Sequence, residues 1–331
     1  MPQKNDSRRK FLKQGALTGL GIALSAGVST PALANMFADN DNPLSVENEP
    51  IIDIHQHIFY HGRTDEQMIA HQKAMGVTKT ILLPAGSSVN RMSTHFGLSN
   101  GLQVKAGVNK DCYDFAQKHS DAFSFGANEV PDLPDAIKHI EQYLKLGGKV
   151  IGELKFGVAC DSPGMQKIYQ LAQDYDVPVL MHWKYEVYNY GFERFYKMLE
   201  KYPKTNFIAH AQTWWANIDK KQQDHPWELY PKGPVTKGGL SDRYLNDYSN
   251  MYGGLSAGSG LNAYLRDEDF TRDFFKRHQD NLIFGSDCAD AVGKGKACDG
   301  AQIIAAVKRL SPSKKVERKL LYENAKKMFK L

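Results

Sequence analysis

"PIIDIHQHIF", residues 50–59, decides how this chain folds. Ile51, Ile52 and Ile54 flank Asp53, and two histidines follow at a spacing of two, His55 and His57. An extended chain turns residues i and i+2 to the same side. The two imidazoles therefore project together from the end of what reads as a buried strand. Two neutral imidazoles aimed at one point are half of a metal site.

Seven similar runs follow: "KTILLPAG" (79–86), "FSFGANEV" (123–130), "KVIGELKFG" (149–157), "VPVLMHWKY" (177–185), "NFIAHAQT" (206–213), "MYGGLSAGS" (251–259) and "NLIFGSDC" (281–288). Helical patterns lie between them. "DEQMIAHQKAMG" sets Met68, Ile69, His71, Gln72 and Met75 near one face, and "DAIKHIEQYLKLGG" spaces Ile137, Ile140, Tyr143 and Leu144 helically before a glycine pair. "MQKIYQLAQDYD", "GFERFYKMLEKYP", "DEDFTRDFFKRHQD" and "KVERKLLYENAKKMFK" read the same way. Eight strands alternating with helices predict an α/β fold, a single-domain (β/α)8 TIM barrel over residues 50–331. An open doubly wound sheet is the runner-up, weakened by the lack of a Gly-rich dinucleotide fingerprint after the first strand.

Polar residues close several of these runs. His55 and His57 end the first, Glu153 the fourth with Lys155 two residues on, His182 the fifth, His210 the sixth and Asp287 the eighth. A barrel brings those ends into one ring. A polar side chain ending a buried strand is costly unless it is paired or bound, and one metal site removes that cost for the whole set.

The order His-x-His, Glu, His, His, Asp resembles the amidohydrolase superfamily of metal-dependent barrels. "LLYENAKKMF" (320–329) resembles the helix that closes its amidohydrolase-related branch. The resemblance implies that His55, His57 and Asp287 bind one divalent ion, while His182 and His210 bind a second, or His210 stays free and assists proton transfer. Glu153 stands where many members carry a bridging lysine, and Lys155 leaves that role open between the two. Asp287, His210 and Lys155 are the expected catalytic residues. Zinc, one or two ions per chain, is the first expectation, with manganese or another divalent ion as alternatives.

The N-terminus carries an address. "DSRRKFLKQG" precedes the mild apolar run "ALTGLGIALSAGVS" and the small-residue end "PALA". This predicts a twin-arginine signal over residues 1–34, a linker over 35–49, and export of the folded protein to the periplasm or beyond through the twin-arginine machinery. The run is short and rich in Gly and Ser for a membrane helix, so it reads as an export address, with an uncleaved N-terminal anchor as the alternative. Residues 1–34 hold five of the 42 Lys and Arg and one of the 37 Asp and Glu, so the remainder has 37 bases against 36 acids. A near-neutral mature chain argues against a nucleic-acid partner and a nuclease role.

Cys112, Cys160, Cys288 and Cys298 lack zinc-knuckle spacing and could pair in three ways, Cys288 with Cys298 foremost, or remain buried thiols. His61, His71, His95, His119, His139, His225 and His278 read as solvated, with His61 and His95 nearest the mouth. Residues 214–240, polar and broken by Pro and Gly, read as a lid. Trp183, Tyr185, Tyr188, Tyr190, Trp214 and Trp215 suggest an aromatic wall for a small-molecule substrate. Arg91 could grip a carboxylate. The expected activity is metal-assisted hydrolysis of an amide, ester or lactone. A mononuclear non-oxidative decarboxylase and a non-catalytic binding barrel are the alternatives, and a homo-oligomer stays open.

Overall fold

The apolar runs become eight parallel strands in the computed structural model, which describes residues 49–95 and 106–331. They are β1 (Ile51–Gln56), β2 (Val77–Leu82), β3 (Phe123–Phe125), β4 (Ile151–Leu154), β5 (Val179–His182), β6 (Phe207–His210), β7 (Met251–Leu255) and β8 (Leu282–Phe284). The ladder runs β1-β2-β3 and β4-β5-β6-β7-β8. The Ala127 N–H bonds Val150 O and the Gly152 N–H bonds Ala127 O across the β3–β4 seam, while the Asp287 N–H bonds His55 O across the β8–β1 seam. The fold is the expected (β/α)8 barrel. The signal and linker expectations fall on residues 1–48, outside the described residues. Among the described residues, no helix is long and apolar enough to cross a membrane.

β1, β4, β5, β6 and β8 are buried on both faces, as parallel strands under helices must be, whereas β2 is open at Val77–Lys79. Leu180, Ile208 and Ile283 join Ile52, Ile54, Ile81, Leu83 and Val150 in the barrel interior, together with Phe329 from the terminal helix. Their neighbours Val179 and Met181, Phe207 and Ala209, Leu282 and Phe284 belong instead to the layer that the outer helices cover. Truncating one such interior Leu or Ile to Ala costs about 2–5 kcal/mol.

The expected helices form at Asp65–Ala74, Ala136–Lys145, Pro163–Tyr175, Tyr196–Lys201 and Glu268–Arg277, and the terminal helix starts at Lys314. Others escaped the periodic reading, including Asn109–Lys118, Leu240–Asp247, Ala257–Leu265 and Asp299–Leu310. The expected run 251–259 stops as a strand at Leu255, and its tail starts a helix at Ala257. Packing, with Ala263 and Tyr264 buried, overrides the low helix propensity of Gly258 and Gly260.

Candidate metal centre

Four ligand-type atoms converge at the C-terminal ends of β1, β4 and β8. His55 Nε2 and His57 Nε2 lie 3.2 Å apart. Glu153 Oε2 is 3.5 Å from the first and 3.3 Å from the second, and Asp287 Oδ1 is 3.6 Å from both. Ligands held at about 2.0–2.1 Å around a tetrahedral ion stand about 3.3–3.4 Å from one another, and these separations suit a divalent cation. His55, His57 and Glu153 form one group of possible ligands, His55, His210 and Asp287 a second, and Glu153, His182 and His210 a third. Glu153 Oε2 and Asp287 Oδ1 are buried without a hydrogen-bond partner, an expensive state that a cation between them relieves. His57 Nδ1 lies 2.8 Å from Leu83 O, which keeps its proton there and turns the Nε2 lone pair inward.

Glu153 divides its oxygens. Oε1 accepts from His182 Nδ1 at 2.6 Å and from His210 Nε2 at 2.7 Å, and His210 Nδ1 lies 3.2 Å from Ser256 Oγ. Burial alone would raise the Glu153 pKa. Lys155, then His182 and His210, outweigh it and hold this carboxyl well below the usual range. Burial, then Lys155, pushes His182 well below an ordinary imidazole, and burial and His55 lower His210. Both rings are therefore neutral N–H donors near pH 7. His55 moves up despite burial, because Asp287 and Glu153 favour its charged form.

The strands aim these residues in two ways. On β5 and β6 the histidine keeps the parity of the interior residue before it, Leu180 and His182, Ile208 and His210, while Asp287 lies three residues past the end of β8 at φ +46°. On β1 the interior residues are Ile52 and Ile54, so a regular strand would turn His55 and His57 outward. The register of β1 slips between Asp53 and Gln56, and Asp53 holds the slip by accepting the His55 N–H at 3.0 Å and the Ser286 N–H at 2.8 Å. β4 slips between Ile151 and Leu154, just before Glu153. Gly152 sits there at φ +152°, where an added Cβ would lie 2.7 Å from Leu180 O, so only glycine fits. Such slips re-aim side chains beside active sites.

Other expectations need correction. Trp214 and Trp215 line no substrate wall; they are buried in the core, against Phe192 and against Tyr264 and Phe274 respectively. The expected lid is therefore core at its start, and only its later part, with Trp227 and Tyr230, is exposed. Arg91 is exposed, its Nε bound to Asp132 Oδ2 at 3.0 Å and its NH2 to Asp132 O at 3.0 Å, and does not reach the centre. Trp183, Tyr185, Tyr188 and Tyr190 do line a cavity of about 820 Å³ with Phe192 and Thr213. None of His55, His57, Glu153, His182, His210 and Asp287 lines it; Tyr188 links it to them, its ring 5.4 Å from that of His182. Lys155 Nζ lies 5.7 Å from the same Tyr188 ring. His71 and His278 are buried and paired with Asp290 and Asp242 rather than solvated. All four cysteines are free and buried, and Cys288 and Cys298 face each other at 3.4 Å without a bond.

Tyr60 was not anticipated. Its ring lies 4.9 Å from that of His57, and Asp287, then burial, raises its pKa so far that it stays a neutral donor. Ser256 and Asp53 were likewise missed as supports. Only Asp53, two residues before the first histidine, left a visible mark in the sequence.

Residues 52–331 match the family model described as amidohydrolase. The chain belongs to the amidohydrolase family. Among curated protein sequences, none matches this amidohydrolase. Solved structures share its fold. A 2,6-dihydroxybenzoate decarboxylase from Rhizobium aligns at 15% identity and TM-score 0.53 over 85% of this chain and 98% of that one. A 5-carboxyvanillate decarboxylase from Novosphingobium aromaticivorans, complexed with manganese and a nitrobenzoic acid, aligns at 18% and 0.51 over 80% of each chain. A probable 2-pyrone-4,6-dicarboxylic acid hydrolase from Acinetobacter baumannii, with citric acid bound, aligns at 15% and 0.55 over 85% and 99%. This amidohydrolase is accordingly an enzyme rather than the non-catalytic barrel left open by its sequence, and its mouth carries groups of side chains that could hold a metal ion.

Proposed function

We propose that the protein is an exported hydrolase that cleaves an ester, lactone or amide of a small aromatic acid at a single divalent ion. His55, His57, Glu153 and Asp287 hold the ion, with zinc or manganese suited to the N2O2 donor set. The observation that carries the reading is unequal exposure within this set. The side chains of His55, His57 and Glu153 are 1%, 0% and 0% exposed, whereas that of Asp287 is 10% exposed. Asp287 is thus the member that meets an incoming molecule.

A divalent ion in this place supplies a Lewis acid and a water acidified to a pKa of about 7. Asp287 takes the proton from the attacking water and returns it to the leaving group. Neutral Tyr60, beside His57, donates its phenol hydrogen to the substrate carbonyl oxygen as charge develops there. His182 and His210 fix Glu153 from behind, and Ser256 fixes His210. The rings of Tyr185, Tyr188 and Tyr190 suit a planar aromatic ring, and Lys155 pairs with a second, free carboxylate on that ring.

Lys155 also favours a second reading, non-oxidative decarboxylation of an aromatic acid, the reaction that two of the structural neighbours are named for. One experiment separates them. The metal-loaded protein is offered aryl esters, lactones and phenolic acids in H2(18)O. Label entering the product acid supports hydrolysis. Unlabelled product with released CO2 overturns hydrolysis in favour of the second reading. Export is tested by fusing residues 1–34 to a reporter: periplasmic reporter that shifts to the cytoplasm on replacement of Arg8 and Arg9 by Lys supports it, and an unmoved reporter refutes it.

A further inference from the structure

One residue past Asp287 begins another group of ligand-type side chains, outside the barrel. His71 comes from the helix Asp65–Ala74, Cys288 and Asp290 from the segment after β8, and Cys298 from the residue that starts the helix Asp299–Leu310. Their atoms form a compact set. Cys288 Sγ to Cys298 Sγ is 3.4 Å, Cys298 Sγ to His71 Nε2 is 3.5 Å, His71 Nε2 to Asp290 Oδ2 is 3.0 Å, and Cys288 Sγ to Asp290 Oδ2 is 3.0 Å. The two remaining separations are within 4.8 Å. Tetrahedral zinc, with sulfur at about 2.3 Å and nitrogen or oxygen at about 2.0–2.2 Å, spaces its ligands about 3.8 Å for two sulfurs, 3.5 Å for sulfur to nitrogen and 3.3 Å for nitrogen to oxygen. Each measured edge is within about half an ångström of that pattern.

We propose that His71, Cys288, Asp290 and Cys298 form a second metal site, structural rather than catalytic, for a thiophilic divalent ion of the zinc class.

Three features of the surroundings fit an ion-binding cage. His71 and Cys298 are 0% exposed and Cys288 4%, and only the Asp290 carboxylate, 13% exposed, faces outward, so the three soft ligands are shielded from water as in structural zinc sites. Two thiolates and one carboxylate around a divalent ion leave one negative charge, and Arg63 stands beside it. Its NH1 donates to Cys288 O and to Asp290 O, each at 3.0 Å. Cys298 Sγ accepts the Ala301 N–H at 3.3 Å from the first turn of its own helix, a hydrogen bond that offsets part of what Cys288 and burial do to raise its pKa. A disulfide between the two cysteines would use none of this, since it needs no histidine, no carboxylate and no compensating guanidinium.

The site would pin the segment that carries Asp287. Gln56 Nε2, from β1, donates to Cys288 O at 3.0 Å, so ion, segment and first strand are tied together. Total metal then counts two centres, one nitrogen–oxygen and one sulfur-containing, and a stoichiometry of about two ions per chain does not by itself mean a binuclear mouth.

Cobalt(II) separates the two centres, because only a sulfur ligand gives an intense near-ultraviolet thiolate-to-cobalt band. We expect the Co(II)-loaded full chain to show that band. The double variant His55→Ala/His57→Ala should keep it and hold about one ion, and His71→Ala and Cys298→Ser should weaken or lose it while the mouth ion stays. Thiol titration of the wild type, which needs no variant to fold, should find the four cysteines reactive only after chelation and denaturation. The proposal is overturned if the band is absent from Co(II)-loaded wild type. It is equally overturned if the denatured chain is two hydrogens lighter with two thiols missing, the mark of a Cys288–Cys298 disulfide.

Discussion

Two carboxylate clusters in this molecule, one fully buried and one whose arginine is 35% exposed, solve the same problem and end differently. On the outside of the barrel, Asp242 Oδ1 accepts from Arg277 NH1 and from His278 Nε2, both at 2.6 Å. At the mouth, Glu153 Oε1 accepts from two histidines at almost the same distances. Around Asp242 the account closes: a guanidinium balances the carboxylate, and none of the trio's buried polar atoms lacks a partner. Around Glu153 it stays open. His55 Nδ1, Glu153 Oε2, His182 Nε2 and Asp287 Oδ1 are all buried without one, and two carboxylate oxygens share a space with two ring nitrogens. Unfilled valence, more than burial or charge, marks the mouth as the place that takes a cation.

Variants at the two clusters should therefore differ in kind. The largest effect is expected from His55→Ala/His57→Ala: loss of the mouth ion by elemental analysis and of turnover down to background, with the circular dichroism of the barrel kept. A full complement of mouth ion in that variant breaks the comparison. Asp287→Asn should keep the fold and lower kcat by about 10²–10⁴-fold, the usual worth of a positioned general base. Ser256→Ala removes the support of His210 at one remove and should cost about tenfold in metal affinity or activity. The smallest effect belongs to the closed cluster. Asp242→Asn should leave activity and metal content alone and lower stability by about 2 kcal/mol at pH 7. Burial works against the Asp242 charge, but His278 and Arg277 together hold its pKa below the usual carboxylate value. The native contribution of Asp242 is thus complete above about pH 4 and fades as pH falls through the folded value. Thermal melts of wild type and variant should converge in acid. A gap that widens there reverses the sign of the argument.

The barrel was legible because strand and ligand signals coincide: "VPVLM" before His182 and "NFIA" before His210 are apolar runs that end in one imidazole. What stayed hidden depends on three-dimensional context. Nothing around His71 sets it apart from a solvated helix position, since its partners lie more than two hundred residues away. Trp214 and Trp215 read as wall or core equally well until the helix Ala257–Leu265 packs on them. The parity of "IDIHQH" contradicts its own function, because the alternation that buries Ile52 and Ile54 would send both histidines the other way.

That contradiction limits what can be transplanted. A designer who copied His-x-His onto an ideal strand of another barrel would move the letters and lose their aim, leaving both imidazoles among the surrounding helices. The portable unit includes Asp53 and Ser286, which hold the kink, and Gly152, which permits its counterpart on the fourth strand.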